Sequence, residues 1–150
     1  MLMLHKPQRP ERNGVRFERQ VRFALSEAGA AFTTGTIHST TVYGEPWRND
    51  IFVTNAQPFP HGLVIECRWQ SSNGSADEKF FPLVHNIRRL PCPGIIVIGG
   101  RNAVLQGKGA RPACLAWTRQ QVDERLIGVY TLEEFIAWLP NLPFHKTTLW

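Results

Sequence analysis

The sequence predicts an α/β domain with a mixed central sheet flanked by helices. Residues 93–100 form a continuous apolar run bounded by glycine, which is typical of a strand buried on both faces. Other stretches carry apolar side chains at helical spacing. One of them, residues 131–139, opens with Thr131 and has Glu134 three positions on, the pattern of a capping box. Strand and helix patterns alternate along most of the chain, and this order indicates an α/β fold.

The first half of the chain predicts a helix followed by three extended segments. Residues 1–14 hold two prolines and several basic side chains without periodicity, and we interpret them as a flexible basic arm. A helix is expected to follow and to end near Gly29. Its apolar stripe comprises Val15, Val21, Ala24, Leu25 and Ala28, with Phe17 and Phe23 beside them. The β-rich stretches are residues 30–44, 47–54 and 63–70. The turn-rich loop 55–62 would join the last two into a hairpin.

The second half alternates helices and strands. Residues 71–90 have a helical period that Pro82 should either kink or restart in its first turn. The strand 93–100, a helix at 110–122, a short strand at 126–130 and the helix at 131–139 follow. We therefore expect one domain over residues 15–139, with an irregular, proline-containing tail at residues 140–150.

Composition narrows the class of partner. The formal net charge is +5, and the sequence pI is about 9.6. Such a balance favours a polyanion such as DNA, because each neutralised phosphate releases counterions. The three cysteines form neither a disulfide framework nor a zinc pattern. No apolar run reaches the roughly 20 residues of a membrane helix, and the first residues lack a secretory signal, so we expect a cytoplasmic protein without a membrane partner.

Polar side chains interrupt the predicted strand 63–70. Glu66, Arg68 and Gln70 are spaced two apart, so they should point to one face. If this strand pairs with 47–54, Asp50 can approach Glu66, and two adjacent carboxylates repel each other unless a cation lies between them. Mg²⁺ takes oxygen ligands and keeps several waters, so both carboxylates and the Cys67 carbonyl would suffice. Arg68 could then hold a phosphate.

An ordinary ion pair explains the same spacing. Glu66 could pair with Arg68 or Arg48, with Gln70 merely solvated at the end of the strand. The spacing alone does not decide between this interpretation and a metal site.

The pattern resembles the PD-(D/E)XK nuclease superfamily. The signature of that family is an acid on the second core strand followed by Glu-x-Lys on the third, here Asp50 and then Glu66-Cys67-Arg68. The run "RFERQV", which contains Glu18, resembles the family's first-helix motif, and Gln70 with "GSADEK" resembles a run of some small prokaryotic and phage members. The resemblance covers roughly residues 15–100 and implies a restriction-endonuclease-like αβββαβ core.

The resemblance implies a metal-dependent endonuclease that hydrolyses DNA phosphodiester bonds with Mg²⁺, or with Mn²⁺. Asp50, Glu66 and the Cys67 carbonyl would hold the metal, Glu18 would support the site from the first helix, and Gln70 would orient it. Nucleic acid would contact the first-helix arginines, Arg48 and the glycine-rich stretch 99–109, through Arg16, Arg19, Arg22, Arg48, Arg101 and Lys108. One active site per chain cuts both strands only by dimerising or by acting twice, so a homodimer is a further expectation.

Arg68 is the main departure from the family pattern. Arginine keeps its proton near neutral pH and cannot act as a base, although it can position water or neutralise charge. Lys79 could instead supply an ammonium group from the next helix, or it could be an ordinary solvated charge. A catalytically degraded nucleic-acid-binding module is therefore the alternative function, and an unrelated protein-binding α/β scaffold is a third, weaker reading.

Overall fold

The computed structural model describes residues 12–70, 79–100 and 112–146. Its helices and strands follow the order α1 (Asn13–Glu27), β1 (Phe32–Thr34), β2 (Ile37–Thr40), β3 (Pro46–Arg48), β4 (Ile51–Val53), β5 (Leu63–Trp69), α2 (Phe80–Arg88), β6 (Gly94–Gly99), α3 (Pro112–Gln120), β7 (Leu126–Thr131) and α4 (Leu132–Trp138), with a 3-10 turn at Leu139–Asn141.

A five-stranded mixed sheet forms the centre of the molecule, in the strand order β1-β4-β5-β6-β7. The pairs β1–β4 and β4–β5 are antiparallel, whereas β5–β6 and β6–β7 are parallel. The order α1, β1, β4, β5, α2, β6 reproduces the αβββαβ core, so the predicted fold class is confirmed. Strands β2 and β3 form a separate two-stranded sheet.

Apolar layers cover both faces of this sheet. One layer joins Phe17, Val21 and Leu25 of α1 to Phe135 of α4 against strand residues such as Ile65. The other joins Phe80, Leu83, Val84 and Ile87 of α2 to alternate strand residues such as Val64. Because neighbouring strand residues face opposite layers, β6 is apolar and buried throughout, and β5 is apolar except at Glu66 and Arg68.

Two expectations about the first half of the chain were wrong. The stretch 30–44 is not one strand, because β1 belongs to the central sheet and β2 to the separate one. The buried stripe of α1 includes Phe17 but not Val15, which is exposed, because Phe17, Val21 and Leu25 lie four residues apart on one face.

Other expectations were confirmed. Gly29 has a φ of +93° directly after α1, as a C-terminal glycine should. Pro82 lies in the first turn of α2 and does not kink it. The capping box of Thr131 and Glu134 opens α4.

The segment after α4 is irregular but packs onto the domain. Leu142 is buried, and Phe144 makes a β-bridge with Ala56. The side-chain amide of Asn55 donates to the His145 carbonyl at 2.9 Å. The domain boundaries at residues 14 and 139 remain predictions.

Candidate active site

The bend between β3 and β4 carries two polar residues of the site. The backbone N–H of Asn49 donates to the Thr36 carbonyl, and its carbonyl accepts from the Gly35 N–H, both at 2.9 Å. These bonds interrupt the predicted strand 47–54 at Asn49 and Asp50. The bend leaves Asn49 buried and places Asp50 directly before β4.

Strand pairing brings the two acidic residues together. In the antiparallel β4–β5 pair, Ile51 lies opposite Ile65, so one further step along the register brings Asp50 opposite Glu66. The backbone N–H of Asp50 donates to Oε1 of Glu66 at 3.1 Å, which fixes this approach. The hairpin predicted from the sequence therefore exists, and the Asp50–Glu66 pair lies beside it.

Glu66 is a buried carboxyl, with 1% of its surface exposed. Besides the Asp50 N–H, Nδ2 of Asn49 donates to its Oε1 at 3.1 Å. Burial and the charge of Asp50 raise the pKa of Glu66 to about 8, although Arg68 and the Asn49 amide lower it in part. Glu66 therefore holds a proton more tightly than an ordinary glutamate, and any neighbouring cation favours its ionised form.

Asp50 is held from the β5 side. Its Oδ2 accepts a hydrogen bond from the Cys67 backbone N–H at 2.9 Å. The Asp50 side chain is 28% exposed, so it lies between the buried Glu66 and solvent. The carboxyl group of Glu66 is therefore shielded from solvent, whereas that of Asp50 is accessible to it.

Arg68 lies across both carboxyl groups. Its Nη1 is 3.5 Å from Oδ2 of Asp50 and 3.4 Å from Oε2 of Glu66, and it donates to the Cys67 carbonyl at 3.0 Å. The ion pair of Glu66 with Arg68 that the sequence offered as an alternative is thus present. It coexists with the acidic pair.

Glu18 approaches the same place from α1. Burial and the charge of Asp50 raise the pKa of Glu18, and Arg22 lowers it in part. Burial also raises the pKa of the Cys67 thiol well above its ordinary value, so the thiol stays protonated. The backbone carbonyl of Cys67 is consequently the donor atom that this residue offers to a cation.

Two further residues that the sequence assigned to the site, Gln70 and Lys79, lie directly after β5 and directly before α2. Gln70 follows β5, and its backbone N–H donates to the Gly99 carbonyl at 2.8 Å. Gln70 is buried rather than solvated, so that part of the ion-pair interpretation was wrong. Lys79 is exposed at the N-cap position of α2.

The predicted nucleic-acid contacts are placed in part. Arg16, Arg19 and Arg48 are exposed, and Arg22 is half-buried beside Glu18. Nη1 of Arg48 donates to the Gly35 carbonyl at 3.2 Å. Arg101 and Lys108 fall outside the described residues.

The donor atoms at the pair suit a hard cation. They are the carboxyl oxygens of Asp50 and Glu66 and the carbonyl oxygen of Cys67, all of which contact the one Nη1 of Arg68. Mg²⁺ favours oxygen ligands and is often held by one or two carboxylates, with water at the other positions. Over the described ranges, no group of three His, Cys, Asp or Glu side chains is arranged to hold a metal. The candidate ligand set is two side chains and one backbone carbonyl.

Asn49 is a residue of the candidate site that sequence reasoning missed. It is 1% exposed and orients Glu66, while its own Oδ1 has no hydrogen-bond partner among the described residues. An asparagine before an apolar run is typical of a turn, so its residue type gave no reason to assign it to the site. The one feature of the sequence that could have suggested this role is its position directly before Asp50.

Comparison with known proteins gives one match. A family model described as a PD-(D/E)XK nuclease superfamily domain matches residues 3–142. No curated protein and no solved structure matches the chain significantly. Among the described residues, no helix combines the length and apolarity needed to cross a membrane.

Proposed function

The chain belongs to the PD-(D/E)XK nuclease superfamily, and from this premise we propose that it is a Mg²⁺-dependent endonuclease that hydrolyses DNA phosphodiester bonds. The observation that carries the proposal is the hydrogen-bonded pair of Asp50 and Glu66 on neighbouring strands. Their carboxyl oxygens and the Cys67 carbonyl converge on one point, where Nη1 of Arg68 now lies.

The chain would supply the ligands and their orientation. Asp50 and Glu66 would hold Mg²⁺, or Mn²⁺, together with the Cys67 carbonyl. Asn49 and the Asp50 N–H fix Oε1 of Glu66, and the Cys67 N–H fixes Oδ2 of Asp50. When bound, the cation supplies an activated water and neutralises charge on the scissile phosphate.

Arg68 would bind the substrate rather than act as a base. Arginine is too weak an acid to serve as a general base, and its planar donor array suits a phosphate. The side chain is 31% exposed, so substrate can reach it from solvent. Glu18 would support the site from α1, Gln70 would orient its β5 end, and Lys79 remains the rival source of a positive charge.

The DNA backbone would follow the exposed arginines. Arg16 and Arg19 of α1 and Arg48 of β3 are exposed on the surface, where phosphate can approach, and Arg22 lies beside Glu18. Arg101 and Lys108 would add contacts. Cleavage of both strands by one site per chain requires two successive cuts or a homodimer.

A binding module without cleavage is the second candidate, and one observation favours it. The family's lysine position holds Arg68, whose guanidinium already contacts both carboxyl groups. Such a protein would bind nucleic acid through its arginines without cleaving the phosphodiester bonds.

One assay separates the two candidates. Supercoiled plasmid is incubated with the purified protein in Mg²⁺, Mn²⁺ or EDTA, and the products are resolved on denaturing and native gels. The nuclease predicts nicked or linear DNA with either metal and none in EDTA. Retarded but intact DNA in all three conditions would contradict the nuclease and support the binding module.

A further inference from the structure

The guanidinium of Arg68 lies where a cation would bind. One nitrogen, Nη1, contacts Oδ2 of Asp50, Oε2 of Glu66 and the carbonyl oxygen of Cys67 at 3.5, 3.4 and 3.0 Å. These are the three oxygen donors of the proposed metal site. A side chain that merely paired with one carboxylate would not touch all three.

A metal ion and this guanidinium exclude each other at these atoms. Mg²⁺ binds oxygen at about 2.0–2.1 Å. An ion approaching the three oxygen atoms from the side of Nη1 would overlap that nitrogen, and the two positive charges would also repel. Arg68 must therefore leave before an ion can bind there.

The position of Arg68 allows this movement. Its side chain is 31% exposed, whereas Glu66 is buried. Arg68 is the more exposed partner of this pair, so its guanidinium can move into solvent and be hydrated there, whereas Glu66 stays buried.

We infer that Arg68 is an internal competitor of the metal: its guanidinium occupies the position between the oxygen atoms of Asp50, Glu66 and Cys67 in the metal-free protein and must be displaced for a divalent cation to bind. This inference rests on the proposed metal site. It adds that the site is filled by the chain's own cation, so that apparent metal affinity is set by Arg68 as well as by the ligands. A displaced Arg68 is also free to contact a phosphate, which would couple metal binding to substrate binding.

Metal binding without DNA provides the direct test. Mn²⁺ is titrated by calorimetry into the wild type, Arg68→Met and Arg68→Lys, with Arg89→Ala as a control that removes one positive charge but no contact to the carboxyl pair. We expect Arg68→Met to bind Mn²⁺ at least about tenfold more tightly than the wild type, since no guanidinium has to be displaced. Arg68→Lys should lie between them, and Arg89→Ala should stay within about threefold of the wild type.

Thermal unfolding supplies a second readout and a check on folding. In EDTA, Arg68→Met should unfold at a lower temperature than the wild type, because Asp50 and Glu66 lose their only cationic contact in the described structure. Saturating Mn²⁺ should raise its unfolding temperature by more than that of the wild type. If Arg68→Met fails to fold, the same comparison is made with Arg68→Lys.

Two results would overturn the inference. Equal or weaker Mn²⁺ binding by Arg68→Met, while the wild type still nicks plasmid, would refute the competition and leave the nuclease intact. Absence of metal binding by every variant, together with intact plasmid, would refute the nuclease as well.

Discussion

At the scale of single residues, a buried carboxyl is stabilised by groups from three other residues, two on the bend before β4 and one on β5. Glu66 accepts from Asn49 and from the Asp50 N–H, and it lies beside Arg68. A buried carboxylate without such partners would be strongly unfavourable. The pairing of Asp50 with Glu66 was predictable, because strand alternation and the loop length placed both at one end of a hairpin. The ion pair of Arg68 with Glu66 was one of the two interpretations of the strand spacing. The simultaneous contacts of Arg68 with Asp50 and with the Cys67 carbonyl were not predicted, because they depend on how β4 pairs with β5.

Variants of Arg68 and Lys79 identify the residue that supplies positive charge during cleavage. Arg68→Ala should reduce kcat by about 10²–10³ at saturating metal, the usual effect of losing one preorganised donor, even though metal binds more tightly. Arg68→Lys should keep or raise kcat, because lysine is the residue that the family signature has at this position. Single-turnover cleavage of a labelled duplex measures both.

Lys79→Ala provides the comparison for Arg68. Because Lys79 is exposed at the start of α2, its replacement should leave kcat within about threefold of the wild type, as for most surface changes. If Lys79→Ala is inert while Arg68→Ala still cuts, the roles assigned to the two residues are reversed.

At the scale of helices and strands, the bend at Asn49 and Asp50 departs most from the pattern in the sequence. Trp47, Ile51 and Val53 are all buried, so residues 47–54 have the alternation of one strand. The bend depends on hydrogen bonds to Gly35 and Thr36, which lie more than ten residues away. A periodicity argument covers only neighbouring residues, so it predicted the strand but could not predict its interruption.

The arginines of α1 should contribute to nucleic-acid affinity through charge alone. Replacing Arg16, Arg19 and Arg22 together with alanine should weaken DNA binding for every sequence tested. It should also flatten the plot of log affinity against log salt by about 0.9 per lost phosphate contact. Fluorescence anisotropy between low and moderate salt measures the slope.

Arg119→Ala is the control for these arginines. Arg119 lies on α3 and forms an ion pair with Glu134 on α4. Replacing Arg119 should leave the salt-dependence slope unchanged, because this arginine is not among the proposed DNA contacts. A triple variant with the wild-type slope would place the DNA on another surface.

The turn before β7 should make stability dependent on pH. Burial alone would raise the pKa of Asp123, but the backbone N–H groups of Leu126 and Arg125 and the side chain of Arg88 lower it overall. A depressed pKa stabilises the fold above the unfolded value of about 3.9, and this stabilisation is lost as the pH falls through the folded value. Asp123→Asn should therefore cost about 1 kcal/mol at pH 7, and the difference from the wild type should shrink towards pH 3.

Urea unfolding at several pH values measures this difference. The exposed neighbour Glu124 provides the matched control, since Glu124→Gln removes the same charge from the same turn. An Asp123→Asn deficit that stays constant from pH 7 to pH 3 would show that the carboxylate's charge is not what stabilises the turn.

At the scale of the whole molecule, the central sheet was predictable and the packing of its periphery was not. The apolar runs of β5 and β6 identify strands buried on both faces, and the helices on either side follow from their periodicity. The segment after α4 contains prolines and lacks a period. Its docking depends on Leu142 and on contacts with residues 55–57, which no local pattern encodes.

Asn55 connects three distant parts of the chain. Its Oδ1 accepts from the Ala31 N–H at 2.7 Å, and Nδ2 donates to the carbonyls of Gly29 and His145. Asn55→Ala should lower the free energy of unfolding by about 2–3 kcal/mol, because it leaves partly buried backbone groups without partners. Urea unfolding checks this value.

Asn141 gives the comparison for Asn55. It is exposed in the turn after α4, so Asn141→Ala should stay within about 0.5 kcal/mol of the wild type. Equal losses for both variants would mean that the Asn55 bonds contribute no more than a surface amide.

The most direct test of the account is cleavage by Asp50→Asn and Glu66→Gln, two replacements that keep the shape of the side chain. The amide oxygens can still accept from the Cys67, Asn49 and Asp50 N–H groups, so both variants should fold. Plasmid cleavage is measured with Mg²⁺ and Mn²⁺ beside Glu133→Gln, which changes an exposed acid on α4. The account predicts that both site variants lose at least about 10²-fold in rate while Glu133→Gln cuts like the wild type. Cleavage by either site variant at the wild-type rate would contradict it.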